Sequence, residues 1–141
     1  MTSQTKIKMV HGICWLGAAA DAFWTVVFLH PPLFAFLTGK SHMQFDINLR
    51  LMMGGAASLM AGWTLLLIWT AKKPIERRMV MLFTAVPVLV GLIATTVTGI
   101  VNGNSSSIWI LVKCGLLTII MLVGYQTART TAAEDNHAVK N

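Results

Sequence analysis

Four long apolar runs constrain this sequence more than any other feature. They cover roughly residues 9–29, 49–70, 79–101 and 108–125, and each is close to the about 20 residues that a helix needs to cross a bilayer core. Because lipid offers no hydrogen-bond partners to the backbone, a spanning segment must be a helix or part of a closed barrel. The runs lack the regular polar–apolar alternation of barrel strands. The sequence therefore predicts an all-α fold, a four-helix transmembrane bundle, in a single domain 1–141.

Composition supports a membrane protein. Apolar residues make up 55% of the chain and charged residues 11%, whereas soluble domains carry about 25% charged residues. The formal net charge of +6 does not indicate nucleic-acid binding, since the basic residues flank apolar runs and accompany no RNA- or DNA-binding motif. The expected partner is the lipid bilayer.

The distribution of basic residues predicts the orientation. Eight of the eleven lie on one side of the predicted bundle: Lys6, Lys8, Lys72, Lys73, Arg77, Arg78, Arg129 and Lys140. The other side has Lys40 and Arg50, and Lys113 falls within the fourth run. Since Lys and Arg concentrate in cytoplasmic loops, both termini are predicted to be cytoplasmic.

The segments outside the spans are unequal in length. The outer connection 30–48 contains the apolar stretch LFAFL, which predicts a short amphipathic segment that either lies over the bundle mouth as a lid or anchors in lipid. The tail 127–141 is polar and is expected to be disordered.

Asp21 is the acidic residue within a predicted span. Nine residues separate it from His30, which places it roughly 13 Å below the outer boundary. An ionisable group at this depth costs about 2.5–3.5 kcal/mol on insertion scales, so it should face the bundle and have a partner. Arg50 and Lys113 are the candidate cations, although Lys113 could instead extend to the outer headgroups. Without a cation, desolvation favours the protonated carboxyl group, which would act as a structural hydrogen-bond donor or as a functional site.

Other polar residues fall at similar depths on the remaining helices. Ser58 lies about 12 Å below Arg50, Thr95 about 10 Å below Asn102, and Thr118 about 15 Å below the start of the fourth run. These depths predict an internal polar layer, with Asp21, Arg50, Ser58, Thr95, Asn102 and Lys113 as candidate ligand- or proton-binding residues. The alternative for each hydroxyl is a bond to the carbonyl one turn earlier in its own helix. The indole N–H groups of Trp24 and Trp63 also need partners at their depth.

Gly54, Ser58 and Gly62 recur every four residues on the second span. Such a row of small residues allows two helices to approach closely in a membrane. It is a candidate helix-packing surface.

Motifs for catalysis or metal binding are lacking in the sequence. Cys14 and Cys114 are predicted to lie about 14 Å apart in depth, too far for a disulfide. His30, His42 and Asp46 share the outer side, but their spacing is not specific for a metal or for haem. No nucleophile–base pair or phosphate-binding loop appears, so neither an enzyme nor a cofactor nor a metal site is expected.

One segment carries a resemblance to a known family. Arg50, Gly62-Trp63-Thr64, Trp69 and the Lys-Pro-x-x-Arg-Arg pattern at 73–78 make Leu49–Arg78 resemble small bacterial four-helix membrane proteins of the BphX-like group. The resemblance covers the second helix and the turn after it. It implies a four-helix fold and multi-pass placement in the bacterial inner membrane, and it implies no activity or site residues.

Two kinds of function fit these observations. In the first, the protein is an accessory or interaction subunit of a membrane complex, or a homo-oligomer, assembled through the row of small residues. In the second, the outer half of the bundle binds or transports a small molecule, a lipid or a proton at a polar layer centred on Asp21.

Overall fold

The computed structural model describes residues 3–39, 44–103 and 107–138, and every regular element within them is helical. The helices are α1 (Ser3–Leu29), α2 (Pro31–Thr38), α3 (Ile47–Ala71), α4 (Met79–Phe83), a π-helical segment (Thr84–Leu89), α5 (Val90–Val101) and α6 (Ser107–Ala138). Within these ranges, four stretches are long and apolar enough to cross a membrane: Gln4–Leu29, Ile47–Ala71, Met79–Val101 and Ile108–Ala133. The predicted all-α fold is confirmed for the described residues, and the lengths and apolarity of these four stretches are those expected of a multi-pass membrane protein.

Local sequence explains where the shorter elements begin and end. The proline pair at Pro31 starts α2, since proline suits the first helical turn, and Gly39 ends it in the left-handed conformation at φ 68°. Asp46 caps α3, where its Oδ1 accepts a hydrogen bond of 2.9 Å from the Leu49 N–H. Thus α2 occupies the connection in which the sequence predicts a short amphipathic segment. Lys40 and His42 lie outside the described residues.

The third span is interrupted by a π-helical segment that contains Pro87. Proline has no N–H and its ring crowds the preceding turn, so an α-helical hydrogen bond cannot form there. The wider π-helical turn accommodates the proline, and α5 follows directly at Val90. The long apolar run alone did not indicate this irregularity.

Helix α1 lies between α3 and α6, while α4, the π-helical segment and α5 pack along α6. The end of the bundle that holds the start of α1, the turn 72–78 and the end of α6 is called the termini end. The opposite end holds α2. At the termini end the His11 ring Nδ1–H donates a hydrogen bond of 2.8 Å to the Ala71 carbonyl, which ties α1 to the end of α3.

The apolar core is concentrated toward the termini end. All four spans contribute to one buried cluster: Val10, Cys14, Ala71, Met81, Ala85, Leu89, Met121 and Ala128. Side chains from two other helices pack tightly against Gly17, where a Cβ would overlap the end of Met121 and lie 3.2 Å from Leu67 Cδ1. The half of the bundle next to α2 contributes few residues to this core.

The tail differs from its expected state. Helix α6 continues to Ala138, through much of the stretch 127–141 that the sequence analysis expected to be disordered. Ala128 and Thr131 are fully buried, and Ala128 belongs to the core cluster. Burial of these side chains against the bundle stabilises this part of α6. The polar composition of the tail gives no indication of that burial.

Candidate ligand-binding cavity and its polar residues

Asp21 lies on the face of α1 that points into the bundle. Gly17 and Cys14, one and two turns earlier on the same face, are both buried. Phe28, two turns later, is half-buried, as is Asp21 itself. The carboxyl group therefore faces neighbouring helices, at a level where their packing leaves it partly accessible.

The Asp21 carboxyl group has no hydrogen-bond or ion-pair partner among the described residues. The Thr25 hydroxyl donates a hydrogen bond of 2.8 Å to the backbone carbonyl of Asp21, and this bond does not involve the carboxyl group. Arg50 is exposed and its Nε donates to the Phe45 carbonyl at 3.2 Å. Lys113 is also exposed, and the ion pair found in the described chain joins Lys73 to Glu76. The expected pairing of Asp21 with a cation is thus not formed.

The predicted internal polar layer does not form either. Ser58, Thr95 and Asn102 are all exposed, on faces turned away from the bundle interior. Thr95 bonds to the Leu92 carbonyl at 2.9 Å and the Asn102 amide to the Thr98 carbonyl at 2.8 Å. Half-buried Thr118 bonds to the Cys114 carbonyl at 2.7 Å. The side chains of both threonines and of Asn102 therefore form hydrogen bonds within their own helices, which is the alternative to an internal polar layer.

The structure selects other polar residues for the interior. Thr84 and Thr96 are buried, and Thr84 Oγ1 accepts a hydrogen bond of 3.0 Å from Trp63 Nε1. The partner predicted for the Trp63 indole is therefore confirmed. Thr96 lies next to Thr95 in sequence, on the buried row that includes Leu89. The sequence contained a signal for the burial of Thr96, because residues 89, 93, 96 and 100 repeat at helical spacing and share one face. Because the other three residues are aliphatic, this face does not stand out as a polar one.

The small residues of α3 face outward. Gly54, Ser58 and Gly62 are exposed, and a Cβ placed on either glycine would meet nothing within 4 Å. The buried face of α3 is formed instead by residues such as Met53, Ala57 and Leu67. Within the part of the chain that the structure describes, this row of small residues packs against no other helix.

A cavity of about 730 Å³ lies in the half of the bundle next to α2. Its lining comes from α1, α2, α3, α5 and α6, and consists of Trp24, Phe28, Phe34, Phe36, Leu37, Thr38, Gly39, Met60, Leu92, Thr96, Trp109, Ile110, Lys113 and Cys114. This volume is within the range of about 300–1,000 Å³ typical of small-molecule sites, which are likewise mostly apolar with few polar groups. Asp21 is not part of the lining, although Trp24 is one turn further along α1.

Aromatic contacts attach α2 to the cavity wall. The Phe28 and Phe34 rings stack with centroids 5.6 Å apart, and Phe34 meets Phe45 edge-on at 6.5 Å. Trp24 continues the chain on α1, 6.1 Å from Phe28. Each such pair adds roughly 0.5–1.5 kcal/mol beyond its area burial. Aromatic packing therefore holds α2 against the end of α1 and the segment that precedes α3.

Lys113 is the charged residue among the described residues that line the cavity. It stands with exposed Trp109 and Phe36, whereas Thr96 is buried and Cys114 half-buried. The cavity thus has a cationic, aromatic rim and a deeper wall that is predominantly apolar. Both cysteines are free thiols, Cys14 in the core and Cys114 in the cavity wall.

The His30, His42 and Asp46 combination gains no support as a metal site. Asp46 is engaged as the α3 cap, His42 lies outside the described residues, and no group of three metal-ligating side chains occurs within the described ranges. Comparison of the chain with protein-family models, curated proteins and solved structures finds no match.

Proposed function

We propose that this protein binds a small, mainly apolar molecule in the cavity next to α2, within the membrane. The supporting observation is the cavity itself, which residues from all four spans and α2 surround. Its size suits a single small ligand. The proposed site therefore differs from the one predicted from the sequence, because its aromatic and aliphatic lining does not include Asp21.

The proposed orientation has both termini in the cytoplasm and the cavity in the outer half of the bilayer. Exposed Lys8, Lys72 and Lys73 all lie at the termini end, consistent with the rule that positive charge stays inside. The likeness of Leu49–Arg78 to BphX-like proteins supports placement in the bacterial inner membrane. In this arrangement α2 covers the site from the outer surface.

Alkylation of the cavity thiol tests ligand binding at the site. The full chain is reconstituted in phosphatidylcholine vesicles and treated with N-ethylmaleimide, with and without dodecanol as the apolar probe. Modification is measured at each cysteine by peptide mass spectrometry. Dodecanol in the cavity is expected to slow alkylation of Cys114, because the probe covers that part of the wall.

The matched control is Leu116→Cys, which places a thiol on the outward face of α6, where Leu116 is exposed. Dodecanol dissolved in the bilayer reaches this face without entering the cavity, so alkylation there should not change. Equal slowing at both thiols, or no slowing at Cys114, would overturn the proposed binding function.

A second function is favoured by the outward row of small residues on α3. We propose that a second copy of the chain docks against Gly54, Ser58 and Gly62, since small residues allow close helix contact in lipid. Gly62→Leu should then shift the protein from dimer to monomer without unfolding it, because open space surrounds this position. The control is Gly12→Leu on α1, where space is also open. Light scattering in detergent that finds a monomeric wild type, or equal dimer loss in both variants, excludes this interface.

A further inference from the structure

We propose that the natural ligand of the cavity is a single-chain anionic amphiphile, whose carboxylate or phosphate head binds Lys113 and whose chain lies along the aromatic wall. This inference rests on the proposed binding function and specifies its ligand class. It follows from the charge, the division between rim and wall, and the volume of the cavity.

The charge of Lys113 lacks a counterion within the described chain. Its Nζ has no carboxylate oxygen within 4 Å among the described residues, whereas Lys73 at the termini end is paired with Glu76 at 3.1 Å. Among the described residues, the cavity lining includes no acidic side chain. An ammonium group beside apolar side chains is stabilised by an anion, and a charge-assisted hydrogen bond to an anionic oxygen is about twice as strong as a neutral one.

The positions of the lining residues match an amphiphile. Lys113 is on the exposed rim, where a headgroup keeps contact with water or lipid headgroups. Phe28, Met60 and Cys114 are half-buried in the wall. The hydroxyl group of buried Thr96 donates a hydrogen bond of 2.6 Å to the Leu92 carbonyl, so its proton is already engaged. The deeper wall therefore favours a hydrocarbon chain over a polar group.

The volume favours one chain over two. At about 730 Å³, the cavity falls within the range for small ligands of about 300–1,000 Å³. A bilayer phospholipid, with two acyl chains and a headgroup, is larger than the small ligands that cavities of this volume bind. The occupant we infer is a fatty-acid-like or single-chain phosphate amphiphile.

The experiment compares two probes that share a chain and differ in the head. Dodecyl phosphate is anionic and dodecanol is neutral, and protection of Cys114 from N-ethylmaleimide reports the occupancy of the cavity by each. Wild-type protein should be half-protected by dodecyl phosphate at a concentration about tenfold lower than by dodecanol. Lys113→Met should abolish this preference by raising the half-protecting concentration of dodecyl phosphate about tenfold, while Lys113→Arg should retain it.

Two further arms identify the source of the effect. Lys72→Met removes an exposed lysine in the turn at the termini end and should keep the preference for dodecyl phosphate, which excludes a general effect of charge on anion adsorption. Vesicles that contain phosphatidylglycerol supply a two-chain anionic lipid. Protection of Cys114 by phosphatidylglycerol alone would make the occupant a bilayer phospholipid and overturn the single-chain assignment.

The remaining outcomes separate the two proposals. Equal protection of the wild type by both probes, or a preference that survives Lys113→Met, overturns the anionic-ligand inference and leaves apolar binding in place. Protection by neither probe overturns both. Cys14 is fully buried, so its continued resistance to alkylation in each variant verifies that the bundle remains folded.

Discussion

The clearest energetic prediction concerns Asp21, since its carboxyl group faces the bundle yet has no described partner. Removing one partner from a buried ion pair costs about 3–5 kcal/mol, because a charge is left uncompensated. Asp21→Ala removes no such pairing. It also relieves part of the about 2.5–3.5 kcal/mol that an aspartate costs within a membrane span. Since Asp21 is only half-buried, we expect the free energy of unfolding to rise by about 1–2 kcal/mol.

Asp46→Ala is the matched control, since this aspartate accepts the Leu49 N–H at 2.9 Å as a helix cap. Losing a cap costs about 0.5–2 kcal/mol, so the two substitutions should change stability with opposite signs. Unfolding in mixed micelles with increasing sodium dodecyl sulfate, followed by tryptophan fluorescence and circular dichroism, measures both. A loss of more than about 2 kcal/mol for Asp21→Ala would refute the reasoning and identify this carboxyl group as a structural pin.

Three further predictions concern packing and accessibility. Gly17→Leu should destabilise the bundle by about 1–3 kcal/mol more than Gly12→Leu, since the first position is tightly packed and the second is open; equal unfolding midpoints would contradict this. A double-mutant cycle of Trp63→Phe and Thr84→Val should give a coupling energy of about 0.6 kcal/mol, and additive losses in micelle unfolding would argue against the hydrogen bond. N-ethylmaleimide should modify Cys114 at least about a hundredfold faster than buried Cys14 in the folded protein, and similar rates by mass spectrometry would rule out the assigned burial.

The helices could be predicted because each reflects a local rule. The four apolar runs had the length of spans, and residues such as Asp46 and Gly39 carry the cap and stop signals seen at the helix ends. The π-helical segment at Pro87 and the extension of α6 past residue 127 were missed. In the first case the proline lies within a long apolar run, and in the second the tail is stabilised by contacts with distant residues.

The candidate site was predicted less well, and the Thr95–Thr96 pair shows the reason. Thr95 was chosen because its depth in the third span is similar to that of Asp21, but Thr95 is exposed and the neighbouring Thr96 is buried. In water, polarity marks the outer face of a helix. In lipid the outside is as apolar as the interior, and a threonine satisfied by its own helix fits on either face.

The sequence by itself determined the number of spanning helices and which segments form them, because apolar length and backbone hydrogen bonding fix both in a bilayer. Only the tertiary structure decided how each helix is rotated. It turned Gly54 and Ser58 outward, left Asp21 inward with no partner among the described residues, and brought Lys113 to the rim of an aromatic cavity. Rotation depends on the fit between side chains distant in sequence, and van der Waals packing, which drives helix association in lipid, leaves little trace in polarity patterns.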